Sequence, residues 1–253
     1  MCRVSLDSSE VETVSEFTDS APHECDGCVI YNNELYFTAS DMNPQTDDYG
    51  MIYSSTSGGE HYICGIDLET GEYTNYGIIY DGDKQYVAAS HSSSPMIAGF
   101  YDGKIYINYS FCKEAMTGDE SAQENFDPRD YFTLLCFEFD PETKEIKESA
   151  LPYSAYTDKD SYVYYDSQKD KSVVIDKGKT YEFDCDVEIN ASLINNKLFN
   201  FHEQNWFELS DMSEHSMGEY GDYHVVDYYD KDKSYILTDY NGKIVKLTEE
   251  ELP

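Results

Sequence analysis

The chain has 253 residues, of which 17 are basic and 51 acidic, giving a formal net charge of −34, an imbalance far beyond what solubility requires. A field of that sign repels nucleic-acid phosphate and anionic lipid, so both are excluded as ordinary partners, while basic proteins, polyamines and divalent cations remain open. With 25 Tyr, 12 Phe and 40% hydrophobic content, the chain carries the apolar surface that a disordered segment lacks, and it has no run of about 18 apolar residues to span a membrane.

Residues 1 to 24 read as an N-terminal tether and closing strand, and residues 25 to 253 as a single domain. The opening Met1-Cys-Arg-Val-Ser-Leu-Asp7 has no apolar run long enough for a signal peptide. The expected location is the cytoplasm as the chain stands, or the cell surface or exterior if an export signal has been removed, in which case Cys2 is a lipidation site. Val11-Glu-Thr-Val-Ser-Glu-Phe17 alternates as an outer strand does and is expected to pair with the last repeat.

Further along, short modules recur. Tyr31-Asn-Asn-Glu-Leu-Tyr-Phe-Thr38 matches Tyr101-Asp-Gly-Lys-Ile-Tyr-Ile-Asn108 and, less closely, Ile194-Asn-Asn-Lys-Leu-Phe-Asn-Phe201. Each predicts strand, tight turn, strand, because Asn-Asn and Asp-Gly tolerate the positive φ angles of two-residue hairpins. Asp67-Leu-Glu-Thr-Gly-Glu-Tyr73 and Asp140-Pro-Glu-Thr-Lys-Glu-Ile146 each follow an apolar strand and predict a second kind of hairpin. A third similarity joins Tyr164-Tyr-Asp166 and Ser172-Val-Val-Ile-Asp-Lys-Gly-Lys179 to Tyr228-Tyr-Asp230 and Ser234-Tyr-Ile-Leu-Thr-Asp-Tyr-Asn-Gly-Lys243.

Together the modules predict five units, at roughly 25 to 80, 88 to 152, 160 to 190, 191 to 220 and 222 to 250, with helix nearly absent. The polar stretches 42 to 60 and 113 to 130 are expected to be long loops. Antiparallel units repeated in tandem bury themselves best by radial stacking, so the fold expected is all-β, a small β-propeller of five four-stranded blades closed by the N-terminal strand. The Asp-Gly-Lys turns and Asp-Pro-Glu-Thr-Lys hairpins resemble repeats of the broad TolB-like and kelch-like β-propeller superfamily over most of residues 25 to 250. That resemblance implies a fold and transfers no functional residue, since propellers host hydrolases, lectins and protein scaffolds alike.

Seven cysteines make an odd count; Cys64, Cys136 and Cys185 stand alone in apolar segments and are expected to be small buried hydrophobes. Cys25-Asp-Gly-Cys28, preceded by His23, has the spacing of half a zinc site, but nothing completes it, so a turn with two ordinary thiols is expected. Asp81-Gly-Asp83, Asp230-Lys-Asp232 and Asp47-Asp48 resemble fragments of a calcium loop without its distal Glu, and imply only weak Ca2+ binding and no cofactor.

Glycoside hydrolysis needs two carboxylates in unlike environments. Asp166 and Asp230, each after a Tyr-Tyr pair, and Glu34, in the first hairpin, are the acids able to approach a central channel. Trp206, the single Trp, is the remaining ligand-contact candidate, with core packing as its plainer role. The expected function is a non-catalytic binding propeller, monomeric, recognising a protein or glycan. Its alternatives are a glycan-active hydrolase on a five-bladed scaffold and an intracellular acidic protein that binds a basic partner.

The charge yields a first prediction. Confining −34 on a compact body costs self-repulsion, so NaCl at matched ionic strength should reproduce most of the melting-temperature gain given by CaCl2. A saturable rise specific to low calcium, persisting in high NaCl, would instead reveal a formed site.

Overall fold

The computed structural model describes residues 2–4, 11–13, 27–40, 43–46, 52–55, 61–80, 95–112, 132–185, 191–201, 203–239 and 241–253. The chain divides into two compact units, Met1–Leu151 and Pro152–Pro253.

The first unit opens with β1 (Cys2–Val4) and β2 (Val11–Thr13), which pair with each other. The first blade follows: β3 (Cys28–Tyr31) and β4 (Glu34–Ser40), an inserted hairpin of β5 (Asn43–Thr46) and β6 (Ile52–Ser55), then β7 (His61–Asp67) and β8 (Tyr73–Tyr80). Its sheet order is β3-β4-β7-β8. The second blade is β9 (Met96–Tyr101), β10 (Lys104–Cys112), β11 (Phe132–Phe139) and β12 (Ile146–Glu148).

In the second unit the third blade is β13 (Ser154–Thr157), β14 (Ser161–Asp166), β15 (Lys171–Asp176) and β16 (Lys179–Phe183). The fourth comprises β17 (Ala191–Ile194), β18 (Lys197–Asn200), β19 (Asn205–Glu208) and β20 (Glu214–Ser216). The fifth has β21 (His224–Tyr229), β22 (Ser234–Thr238) and β23 (Ile244–Thr248). These five antiparallel up-and-down sheets are the five units expected from the repeats, and they are blades of the small β-propeller type. The single helical element among the described residues is a 3-10 turn at Gly218–Tyr220.

The turns form where the sequence places them. Asn32 and Asn33 have φ of 47° and 64°, Asp102 and Gly103 46° and 80°, Asn195 and Asn196 50° and 60°, the paired positive values that a two-residue hairpin on twisted strands requires. The middle strands are buried on both faces, so neighbouring residues enter different cores. Leu198 packs with Val163, Val174 and Phe207, whereas the adjacent Phe199 packs with Trp206, Val225 and Tyr235. In the first unit Tyr36 joins Ile63, Ile105 and Phe139, and the adjacent Phe37 joins Ala39, Cys64 and Ile66. Cys64, Cys136 and Cys185 are buried, as their apolar settings predict, and Cys28 is exposed.

One expectation is corrected: the stretch 42 to 60 carries the β5–β6 hairpin. Among the described residues the fifth blade has three strands and Val11–Thr13 pairs with Cys2–Val4, which leaves closure by the N-terminal strand unshown. The stretches 14–17 and 113–130 lie outside the described residues.

His61, 4% exposed at the start of β7, has its ring 5.4 Å from that of Tyr109, and burial pushes its pKa down from 6.5 to about 4. The unfolded chain therefore takes up this proton first as pH falls. The stability tied to neutral His61 is full above pH 6.5 and should be lost by pH 4, a drop of about 3 kcal/mol. Imidazole titration by NMR should find the depressed value, and urea unfolding of His61→Phe should show a flatter acid slope over that window.

Candidate functional site

The second strand of each blade starts next to the end of the third, so their terminal residues face each other across the sheet. In the third blade Ser161 pairs with Asp176 and its Oγ donates to Asp176 Oδ1 at 2.7 Å. In the fourth Lys197 pairs with Glu208, with Nζ 2.6 Å from Oε2. In the first blade the corresponding pair is Glu34 and Asp67, two acids where the third and fourth blades have a complementary couple.

Like charges directly opposite one another are destabilising, and the two side chains part. Asp67 turns into its own hairpin, where Oδ1 accepts the backbone N–H groups of Glu69 and Thr70 at 2.9 and 2.7 Å, bonds that hold its carboxyl below the usual range. Glu34 turns toward two tyrosines. Tyr36 Oη donates to Oε2 at 2.7 Å, and Tyr76 Oη donates to Oε1. Burial, then the bonded Glu34 carboxylate, push both phenols above their ordinary pKa, so both stay protonated donors.

Tyr76 reaches this position through a β-bulge. Ile63 pairs with Gly77 and Cys64 with Asn75, leaving Tyr76 as the extra residue of β8; Gly77 takes φ of 131°. Such a bulge re-aims a side chain, here onto the face that carries Tyr36. Gly65, opposite Tyr36 on β7, leaves the necessary room: a Cβ there would lie 2.1 Å from Glu34 Oε1 and 2.8 Å from Tyr76 Cε2.

The positive charge comes from the second blade. Lys144 Nζ lies 3.7 Å from Glu34 Oε2, 3.2 Å from Tyr36 Oη and 3.4 Å from Tyr76 Oη. It sits 4.4 Å from the centroid of the Tyr76 ring, 5.4 Å from that of Tyr36 and 6.0 Å from that of Phe139, within cation–π range. Its backbone has φ of 63°, and its N–H bonds to Asp140 O at 2.8 Å. In the sister turn of the first blade the same position is Gly71, with φ of 73° and its N–H on Asp67 O at 2.8 Å. A non-glycine residue in this region carries a strain of about 1 kcal/mol, which the fourth blade also accepts, with Met212 at φ of 60° and its N–H on Glu208 O at 2.8 Å; at Lys144 the side-chain contacts offset it.

The other acids singled out from sequence lie elsewhere. Asp166 ends β14 and its Oδ1 accepts Gln168 N and Lys169 N at 3.1 and 3.3 Å, closing its own turn. Asp230, with a side chain 89% exposed, faces Lys233 at 3.3 Å in the turn after β21. Asp232 is paired with Lys246 and accepts Ser234 Oγ at 2.6 Å. Trp206 is 6% exposed, with the His215 ring stacked 4.0 Å away and its Nε1 donating to Pro253 O at 2.8 Å. His23, Cys25, Asp47, Asp48, Asp81 and Asp83 lie outside the described residues.

A concavity of about 180 Å³ opens in the second unit among Asp158, Asp160, Asp176, Lys177, Asn195 and Asn196. Asp176 there is engaged by Ser161 and by Lys177, whose Nζ is 3.7 Å away. Among the described residues no three His, Cys, Asp or Glu side chains gather where they could hold a metal ion.

No family model and no curated protein matches the chain in sequence. Solved structures similar to it include an oligogalacturonate lyase in complex with manganese, at 13% identity and a TM-score of 0.37, covering 100% of this chain and 72% of that one. Virginiamycin B lyase from Staphylococcus aureus has 12% identity and a TM-score of 0.39, with 91% and 72% covered. A GH43 β-xylosidase/α-arabinofuranosidase from a compost microbial metagenome has 14% identity and a TM-score of 0.37, with 97% and 77% covered. Likeness at this level bears on neither substrate nor site residue.

Gly65→Ala should push Glu34 out of its two phenolic bonds and lower stability by about 1–3 kcal/mol in urea unfolding. An unchanged midpoint would mean that Glu34 is not held by these groups.

Proposed function

We propose that the chain is a non-catalytic binding protein that recognises a protein or glycan through the rim of its first unit, where Glu34, Tyr36, Tyr76 and Lys144 meet. The observation that carries this reading is the geometry at Glu34, which accepts the phenol of Tyr36 at 2.7 Å and that of Tyr76 and faces Lys144 Nζ at 3.7 Å; the direction in which the carboxyl groups are displaced agrees with it. Glycoside hydrolysis requires one acid kept protonated by a raised pKa. Among the described residues every carboxyl group with a displaced pKa is displaced downward: Asp67, Glu138, Asp140, Asp211, Asp232, Asp239, Glu249 and Glu251.

The cause differs from group to group, backbone N–H donors for Asp67 and Asp140 and lysine ammonium groups for Glu138. The consequence is shared, since each is held as an anion that accepts hydrogen bonds. Such groups position and recognise; they do not donate a proton to a leaving group. Tyr76 supports the same reading, because a half-buried phenol fixed as a donor on a carboxylate gives an amphipathic face suited to ligand contact.

The test is a panel of immobilised oligosaccharides and of basic and acidic peptides, read for saturable binding and, in parallel, for new reducing ends or unsaturated products. Saturable binding without turnover is expected. Depolymerisation of any oligosaccharide would overturn the proposal.

A further inference from the structure

Three aromatic rings and a carboxylate around an ammonium group make a cation-recognition cage, and in this protein the cage is already filled by the protein itself. Tyr36 and Phe139 are buried at 2% and 0% exposure, Tyr76 is the ring nearest the ammonium, and Glu34, whose side chain is 18% exposed, supplies the counter-charge. The occupant enters from a neighbouring blade on a four-carbon stem, and its side chain is 40% exposed.

We propose that the Glu34–Tyr36–Tyr76–Phe139 cage is an ammonium-binding site for a lysine side chain of a basic protein partner, held shut by Lys144. This deepens the binding reading above and rests on it.

Three observations converge. The cage chemistry is that of an aliphatic ammonium ligand, with ring faces for its C–H and N–H groups and one carboxylate for its charge. Lys144 is held at a backbone position that its sister turn gives to Gly71, so the turn itself does not call for a lysine. The net charge of −34 draws cationic partners to the surface. Partner lysine and Lys144 would exchange one for one: an incoming ammonium takes the cage while Lys144 swings into solvent, with no covalent step.

Lys144→Gly tests this cleanly, because glycine adopts the same backbone without strain and the variant should keep or raise its melting temperature. The probes are Nα-acetyl-lysine amide, its Nε-trimethylated form and a lysine-bearing basic peptide, titrated against tyrosine fluorescence and NMR shifts of the parent, Lys144→Gly and Glu34→Gln/Lys144→Gly. Opening the cage should tighten binding of all three probes at least tenfold, and removing the Glu34 charge in that background should weaken it at least tenfold. Should Lys144→Gly fail to fold, Lys144→Asn, whose side chain also tolerates this backbone, is read in the same way.

A folded variant that shows no gain, or the same affinity in the parent and in Lys144→Gly, overturns the proposal. The two readings separate on the panel used above. Ligand binding by the parent that survives without any ammonium gain sinks the cage alone. An ammonium gain in a protein that binds no panel member leaves the cage and sinks the broader reading.

Discussion

Double-sided burial of the middle strands is the constraint from which the other features follow. Leu198 and Phe199 are adjacent and both are fully buried, yet one enters the core shared with the third blade and the other the core shared with the fifth. Trp206 and Phe207 divide in the same way. A one-residue slip in register would exchange every such pair between cores of different shape, so register is fixed strongly. Because register is fixed, so are the residues at the rim where one strand ends and its neighbour begins.

That rim is where the blades differ. The third and fourth blades place a donor opposite an acid, Ser161 with Asp176 and Lys197 with Glu208. The first places Glu34 opposite Asp67 and resolves the conflict with parts drawn from outside the pair: turn amides for Asp67, phenols and a lysine from the next blade for Glu34. The β8 bulge and Gly65 belong to this resolution, one aiming Tyr76 and the other making space. A local rule broken and then compensated at several levels is the pattern expected of a functional position.

Much of the fold was legible because it is encoded in short stretches. Asn32-Asn33, Asp102-Gly103 and Asn195-Asn196 name their own turns through the φ values they tolerate, and turns spaced through the chain set the blade count. The β5–β6 hairpin was not legible, since Asn43-Pro44 and the Ser-rich run carry loop chemistry that its pairing overrides. Glu34 was legible only as an acid beside a turn, like Asp166 and Asp230. Its partners come from positions 36, 76 and 144, of which only the first is linked to it by the alternation of a strand. Two signals did stand in the sequence: an isolated glycine within the apolar strand Cys64-Gly65-Ile66, which marks a close approach, and a lysine in Asp140-Pro-Glu-Thr-Lys144 where the matching turn has Gly71.

The scarcity of cations sharpens the reading of that lysine. With 17 basic residues against 51 acidic, a cation of its own is available to no more than a third of the acids, and among the described residues Glu34 is one of those that has one, as Glu138 has Lys104 and Lys147 and Glu208 has Lys197. Lys144 is placed at the cost of backbone strain, and its tether gives it an effective concentration on the order of millimolar or more at the cage. An external ammonium therefore competes with a resident that never diffuses away. A small free amine at lower concentration loses that competition, while a lysine carried on a segment that makes further contacts with the surrounding acids can win it. The tethered lysine thus raises the threshold for entry, so that the cage selects for the surface that bears the ammonium as well as for the ammonium itself.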